Sequence, residues 1–441
     1  MSRIYWCELL WTGERLLEEA AVELDGERVG RMEPGTACPA DAVRLTGLVI
    51  PGLANSHSHA FQRALRGRAQ SGRGSFWTWR EQMYELAERL DPDSYRRLAA
   101  ATFAEMALAG VTTVGEFHYL HHQPDGTPYS DPNEIGKALI AAAAEAGVRI
   151  TLIDACYLHG GIGTEPAGAQ RRFADADAGA WIERVADLEE GPAVRIGAAI
   201  HSVRAVDPES ARVVADWARD GERPLHAHLS EQRAENEACL EAYGGTPAAV
   251  LADAGALDER LVAVHATHLT SGDFALLGDA GVTCCLCPTT ERDLADGIGP
   301  GRALVDAGAR LALGSDSNAV IDLFEEARAI ELDERLASGE RGRHTAQELL
   351  RAAAADGHAS LGWPDAGRIE PDALCDLVAV DLSGVRLSGV PRHDPVPGVV
   401  FAATAHDVRD VIVAGRQVVG DGRHLDIDVA AALREAIEDV T

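Results

Sequence analysis

Between about residue 47 and residue 317 the chain repeats one rhythm. A short run of β-branched and aliphatic residues leads into a polar loop, then a long alanine-rich stretch of helical periodicity, then another apolar run. Eight such runs stand in order: GLVIPGLANS, TTVGEFHY, RITLIDACY, VRIGAAIHS, RPLHAHLS, LVAVHATH, GVTCCLC and RLALGSDS. Helical patterns intervene at Tyr95–Ala109, Asn133–Ala146, Pro208–Asp220, Pro247–Ala254 and Ser271–Ala280. Regular alternation of this kind predicts parallel β/α units. Eight of them predict an α/β fold, a (β/α)8 barrel of the TIM type spanning 51–369, ahead of a doubly wound open sheet.

The two ends read differently. Residues 1–50 and 370–441 hold short strand patterns with glycine turns. VELDGERVGRM carries Asp25-Gly26 at a hairpin position, and CDLVAVDL and DVRDVIVAGRQVVGDG follow the same style. The expectation is a small β-sandwich domain built from both chain ends, with the catalytic barrel inserted between them.

In such barrels chemistry collects at the carboxyl ends of the strands. His57 and His59 follow the first run, and Glu116 to Tyr119 end the second. His201 ends the fourth, His228 the fifth, His265 the sixth and Asp316 the eighth. Closure of a barrel brings runs one, five and eight together, which an open sheet does not.

Those residues have the chemistry of a metal site. His57 and His59, two apart on an extended strand, point to the same side. With His228 and the carboxylate of Asp316 they form the nitrogen and oxygen donor set of a catalytic divalent metal. His226 is a rival ligand, but only His228 has a glutamate three residues on. That glutamate, Glu231, is placed to carry protons between a metal-activated water and a leaving group. His265 would orient the water or the tetrahedral centre, and Asp316 would also accept a proton from the water. This nitrogen and oxygen donor set suits zinc first, with iron or manganese as alternatives.

Other patterns are set aside. Cys284 and Cys287 have C-x-x-C spacing without a second pair, and their odd separation on a strand sends them to opposite faces. They read as inert buried thiols. The H-x-E…P-C-x-x-C signature of the zinc nucleobase deaminases is missing. Lys137 is the one lysine among 40 basic residues, and it falls in a helical stretch. A carbamylated lysine bridging two metals at a strand end is therefore excluded, and strand 4 offers His201 instead. One metal is expected.

The net charge of −30 excludes nucleic acid and anionic membranes as partners, since both need a basic surface. No run of 18 apolar residues and no basic-then-apolar leader occurs, and the cysteines show no disulfide framework. A cytoplasmic protein is expected.

The phrases NSHSHAFQRALRG, FWTWREQMY, EFHYLHH, HSVRAV, HLSEQ, VHATH, LCPTTERDLADG and GSDS resemble the amidohydrolase superfamily over nearly the whole chain. Within its mononuclear aminohydrolase branch they are similar to the deiminases that act on N-formimino-L-glutamate in histidine degradation. The resemblance implies hydrolysis of that compound to N-formyl-L-glutamate and ammonia. It also implies substrate contacts at Gln62, Arg80, Tyr119, His201 and Arg204, and a homodimer. Guanidinium forks bind carboxylates in bidentate fashion, so Arg80 and Arg204 suit a small dicarboxylate substrate inside an acidic protein. Arg80, in an aromatic-rich loop, also fits a structural cation–π contact. The competing readings are an aminohydrolase of a purine, pterin or triazine ring, which would want stacking rather than arginines, and a catalytically dead member, which would lack ligands.

Overall fold

The computed structural model describes residues 3–71 and 74–441. Sixteen strands form two sheets. In chain order they are β1 (Ile4–Trp11), β2 (Leu16–Asp25), β3 (Arg28–Glu33), β4 (Val43–Pro51), β5 (Leu53–Ser58), β6 (Val111–His118), β7 (Arg149–Cys156) and β8 (Val194–Ile200). Then come β9 (Leu225–Leu229), β10 (Leu261–His265), β11 (Thr283–Leu286), β12 (Arg310–Leu313), β13 (Leu377–Val380), β14 (Val408–Val413), β15 (Arg416–Gly420) and β16 (Arg423–His424).

Strands β5 to β12 are the eight apolar runs. They pair in parallel and in sequence order, with helices between them. The helices start where side chains can cap them. Asp91 accepts from the Ser94 amide and Pro92 takes the first turn, so that helix runs Pro92–Leu108 and begins three residues before the expected Tyr95. Asp207 and Thr246 do the same for Pro208–Asp220 and Pro247–Asp253.

The seam between β12 and β5 closes only at its carboxyl end, through a single parallel bridge, Ser58 with Asp316. The Asp316 amide donates to the His57 carbonyl (2.9 Å), and the His59 amide donates to the Asp316 carbonyl (3.0 Å). Beside them the Ser315 amide donates to Asn55 Oδ1 (2.9 Å), and Asn55 Nδ2 donates to Ser315 Oγ (2.6 Å). Lower down, the helical stretch formed by Ala346–Arg351, Ala352–Asp356 and Gly357–Ser360 packs against β5 and β12. Its approach requires Gly357, where a Cβ would lie 3.0 Å from that of Ala54.

Residues alternate across the barrel wall as period-two patterning requires. Val262, Val264, Cys285, Cys287 and Ala312 form one apolar cluster, and Cys284 joins the large core shared with the helices instead. All three thiols are buried.

The strands of both chain ends make one continuous sheet, ordered β16-β15-β14-β13-β4-β1-β2-β3. The Asp25-Gly26 hairpin joins β2 to β3. Here too the faces alternate. Leu45, Val49, Leu377, Ala379 and Ile412 enclose a separate small core, while Leu48, Ile50, Val378, Val380 and Val411 face the barrel core. In β1 the bulge between Cys7 and Leu9 switches the face, so that Cys7 lies in the small core and Leu9 against the barrel.

One carboxylate ties sheet to barrel. Asp376, at the approach to β13, accepts from Arg149 Nη1 of β7 (3.0 Å), Thr112 Oγ1 of β6 (3.2 Å) and the Ala414 amide (2.9 Å). Both charges are buried. Burial raises the Asp376 pKa, but the Arg149 guanidinium outweighs it and holds the carboxyl below its ordinary value. A depressed folded-state pKa contributes stability above about pH 4, lost as pH falls through the folded value. Removing one partner of a buried pair costs about 3–5 kcal/mol. Asp376→Ala should therefore lower unfolding stability by about that much near neutral pH, and denaturant titration should show the deficit against the parent shrinking below about pH 4.

Candidate metal centre and active site

The site sits at the carboxyl mouth of the barrel. His57 lies near the end of β5 and His59 just past it, His228 is the next-to-last residue of β9, and Asp316 stands three residues past β12. The candidate ligand nitrogens of the three histidines all lie within 4.8 Å of one another. His57 Nε2 is 3.2 Å from His228 Nε2, and Asp316 Oδ1 is 3.3 Å from both His57 Nε2 and His59 Nε2.

The far sides of two rings are already committed. His59 Nδ1–H donates to the Phe117 carbonyl (2.9 Å) and His228 Nδ1–H to the His201 carbonyl (3.0 Å). Each Nε2 is thereby left as a lone pair aimed into the cluster, the tautomer a metal requires. His57 Nδ1 has no partner among the described residues. Burial depresses all three imidazoles, His59 to about 3, so they remain neutral donors at physiological pH. Three neutral nitrogens and one carboxylate, buried and convergent, fit a divalent metal with a coordination position to spare. Cysteine thiols are not in this set.

His226, two residues before His228 on the same strand face, is also buried, and both its ring nitrogens lack partners. It is outside the convergent group. A second group, His118, His121 and Asp154, is convergent as well. There Asp154 already accepts a bidentate pair from Arg184 (2.8 Å each) and a bond from Trp181 (2.9 Å), so a cation is present. Lys137 lies exposed in the helix Glu134–Ala146, paired with Asp131.

His265 ends β10 with its Nε2 3.9 Å from both Glu231 Oε1 and Asp316 Oδ2. On the other side its Nδ1 meets Glu291 Oε1 at 3.3 Å. Burial opposes its charge, yet Glu231, Glu291 and Asp316 together hold its pKa well above the ordinary value. His265 (φ 69°) and Asp316 (φ 44°) both adopt the left-handed backbone region, a strain of the kind that collects at functional sites and needs surrounding structure to hold it.

A cavity of about 340 Å³ opens over these groups. All five residues singled out for substrate border it. Gln62 Nε2 donates to the Tyr119 hydroxyl (3.1 Å), and Gln62 Oε1 is buried without a partner. His201 packs edge-on against Tyr157 and His228. Arg80 lies over Trp77, 4.4 Å from the ring centroid, and beside Tyr84. Arg80 makes the expected cation–π contact, and no carboxylate stands within 4.0 Å of it among the described residues. Arg204 is engaged, with Nη2 donating to Glu231 Oε2 at 3.2 Å.

Two supporting acids, Glu291 and Glu235, escaped the reading of the sequence, and Glu116 entered it only as a polar residue at the end of the second run. Glu291 backs His265 and also accepts from the Cys287 amide (2.9 Å). It lies inside the quoted phrase LCPTTERDLADG, yet nothing in its spacing marks it. Glu116 accepts from the Ala60 amide (2.7 Å) and from Tyr95 (3.3 Å), fixing the turn Ala60–Leu65 that carries Gln62. Burial pushes its carboxyl up to about 8. Glu235 accepts from the Glu231 amide (3.2 Å).

Comparison with known proteins agrees with this architecture. A model described as "Amidohydrolase family" matches residues 48–418. The chain is 38% identical over 397 residues to the formimidoylglutamate deiminase of Pseudomonas aeruginosa, covering 87% of each chain. It is 31% identical over 392 residues to a 5-methylthioadenosine/S-adenosylhomocysteine deaminase of Natronomonas pharaonis, covering 88% of this chain and 85% of that one. The crystal structure of an amidohydrolase from Brucella melitensis superposes with a TM-score of 0.92 at 32% identity, over 99% of both chains. The chain therefore belongs to the amidohydrolase family, as a hydrolase of C–N bonds of the deaminase type.

Proposed function

We propose that the protein hydrolyses N-formimino-L-glutamate to N-formyl-L-glutamate and ammonia. The observation that carries this reading is a pair of guanidinium groups, Arg80 and Arg204, in one cavity with the histidine and acid cluster. Two carboxylates on a substrate call for two such cations. The formimidoylglutamate deiminase relative supports it.

His57, His59, His228 and Asp316 would hold one divalent ion, zinc for preference, with iron or manganese suited to the same donors. When bound, such an ion supplies Lewis acidity that brings the pKa of water toward neutrality. Glu231 accepts one proton of the attacking water and delivers it to the formimino nitrogen; Asp316 accepts the second as the C=O bond forms, and once both protons are on that nitrogen it leaves as ammonia while the water oxygen stays on the formyl carbon. His265, kept protonated by its three acids, donates from Nε2 to the oxygen added at that carbon. Arg80 and Arg204 anchor the carboxylates, and Gln62 Oε1 offers an acceptor to the substrate's N–H. Tyr119 and His201 shape the wall. Eight free cysteines, seven of them buried, suit a reducing compartment such as the cytoplasm. No helix among the described residues is long and apolar enough to cross a membrane.

A second reading has its own support. Trp77, Tyr84, Tyr157 and Phe173 line the same cavity, surfaces on which a purine ring would stack.

Ammonia release from N-formimino-L-glutamate, N-formimino-glycine, N-carbamoyl-L-glutamate and 5-methylthioadenosine decides between the two. Strong preference for the first is expected, and release from the nucleoside alone would overturn the proposal. Glu231→Gln should lower kcat by about 10²–10⁴-fold while metal content stays stoichiometric; near-normal turnover would remove Glu231 from proton transfer. Arg80→Met should raise KM and lower kcat/KM for the dicarboxylate by about tenfold or more, with little change for N-formimino-glycine.

A further inference from the structure

Arg204 follows β8 and enters the cavity between two acids carried by the segment after β9. Its Nη2 donates to Glu231 Oε2 at 3.2 Å, and its Nε stands 3.9 Å from Glu235 Oε2. That Nε–H is buried and donates to nothing among the described residues. Glu235 is itself buried, takes the Glu231 amide with Oε2 and has Oε1 unpartnered. One guanidinium thus serves two carboxylates and uses half of its fork.

This arrangement conflicts with both tasks of the pair. A guanidinium binds a carboxylate best through two parallel N–H groups, and Nη2 belongs to each of its two-pronged edges. The nitrogen that a substrate carboxylate needs is the one now holding Glu231. Conversely, Oε2 of Glu231 is held by the Arg204 Nη2–H, and proton transfer from water needs that oxygen free to face the water.

We propose that the Arg204–Glu231 pair is a resting lock, opened by the substrate's own carboxylate. The inference rests on the dicarboxylate reading above. An arriving carboxylate takes Nε and Nη2 of Arg204 in bidentate fashion. Glu231 is released toward His265, whose Nε2 already stands 3.9 Å from Glu231 Oε1. Glu235 keeps Arg204 in place and holds the Glu231 backbone, which makes it a positioning residue. Recognition far from the reacting carbon is then spent on assembling the proton shuttle, so a missing carboxylate lowers kcat and not only affinity. No covalent bond changes in this step.

The test uses the metal-loaded enzyme and two truncated amidines, N-formimino-4-aminobutyrate and N-formimino-2-aminobutyrate, each lacking one carboxylate. The parent enzyme should lose about tenfold or more in kcat on the analogue that leaves Arg204 unoccupied. Arg204→Gln should turn that analogue over faster than the parent does, while losing kcat/KM on the dicarboxylate. A residue that merely binds substrate would give a variant no faster than the parent on either analogue, and that result overturns the lock. A second arm needs no variant and no turnover. In a structure of the parent protein with N-formyl-L-glutamate or glutarate bound, the Arg204–Glu231 contact should open beyond about 4 Å, the outer limit of an ion pair. A ligand carboxylate seated on Arg204 with Glu231 still at hydrogen-bond distance overturns the proposal. If no formimino compound is hydrolysed at all, the substrate reading fails in the kinetic arm, and the bound structure alone decides the lock.

Discussion

The barrel closes through the backbone of its own candidate metal ligands. Elsewhere around the wall each strand pairs with the next along several residues, but between β12 and β5 the bridge rests on two hydrogen bonds, from the Asp316 amide to the His57 carbonyl and from the His59 amide to the Asp316 carbonyl. Side chains of the same three residues converge on one point. Geometry at that point and integrity of the wall are therefore one constraint. A shift of Asp316 that spoils the donor set also unzips the seam, and a metal holding the side chains also holds the seam shut. The left-handed backbone at Asp316 is tolerated because it is fixed from both directions.

Around that fixed point the acids are graded by what faces them. His57, His59 and His228 are stripped of charge by burial, whereas His265, ringed by Glu231, Glu291 and Asp316, is driven to keep it. These four histidines thus divide into three whose charge burial disfavours and one whose charge its acid neighbours favour. Environment alone separates the two roles, since the side chains are identical.

Much of this was legible in the sequence, for a physical reason. Period-two patterning names the strand ends, parallel order places those ends together, and a barrel leaves nowhere else for polar side chains to meet. His57, His59, His265 and Asp316 could be placed at the strand ends by that logic, and so could the opposite faces of Cys284 and Cys287, whereas His228 over His226, and Glu231 itself, are read from their three-residue spacing. What could not be read was pairing. Whether Arg204 would be free or engaged, whether Arg80 would stack on Trp77, and that Glu291 would stand behind His265 depend on loop paths that carry no periodicity. The helix Phe76–Arg89 over the cavity is hard to read because Arg80 interrupts its short apolar face of Phe76, Met83, Leu86 and Ala87, and Pro92–Leu108 starts ahead of its apolar pattern because the Asp91-Pro92 cap sets its first turn.

The order of strands in the terminal sheet has a consequence for synthesis. Strand β4 lies between β1 and β13, and β4 runs directly into β5, the first stave of the barrel. A ribosome delivers β1 to β4 ahead of every barrel strand, but β13 emerges some 330 residues after β4, once every barrel strand has been made. Until then the apolar segment Leu48–Ile50 presents an open edge, the kind of template on which chains associate wrongly. That sheet is thus completed only after the barrel strands, and the nascent chain must keep the free side of β4 from pairing wrongly while the barrel forms behind it.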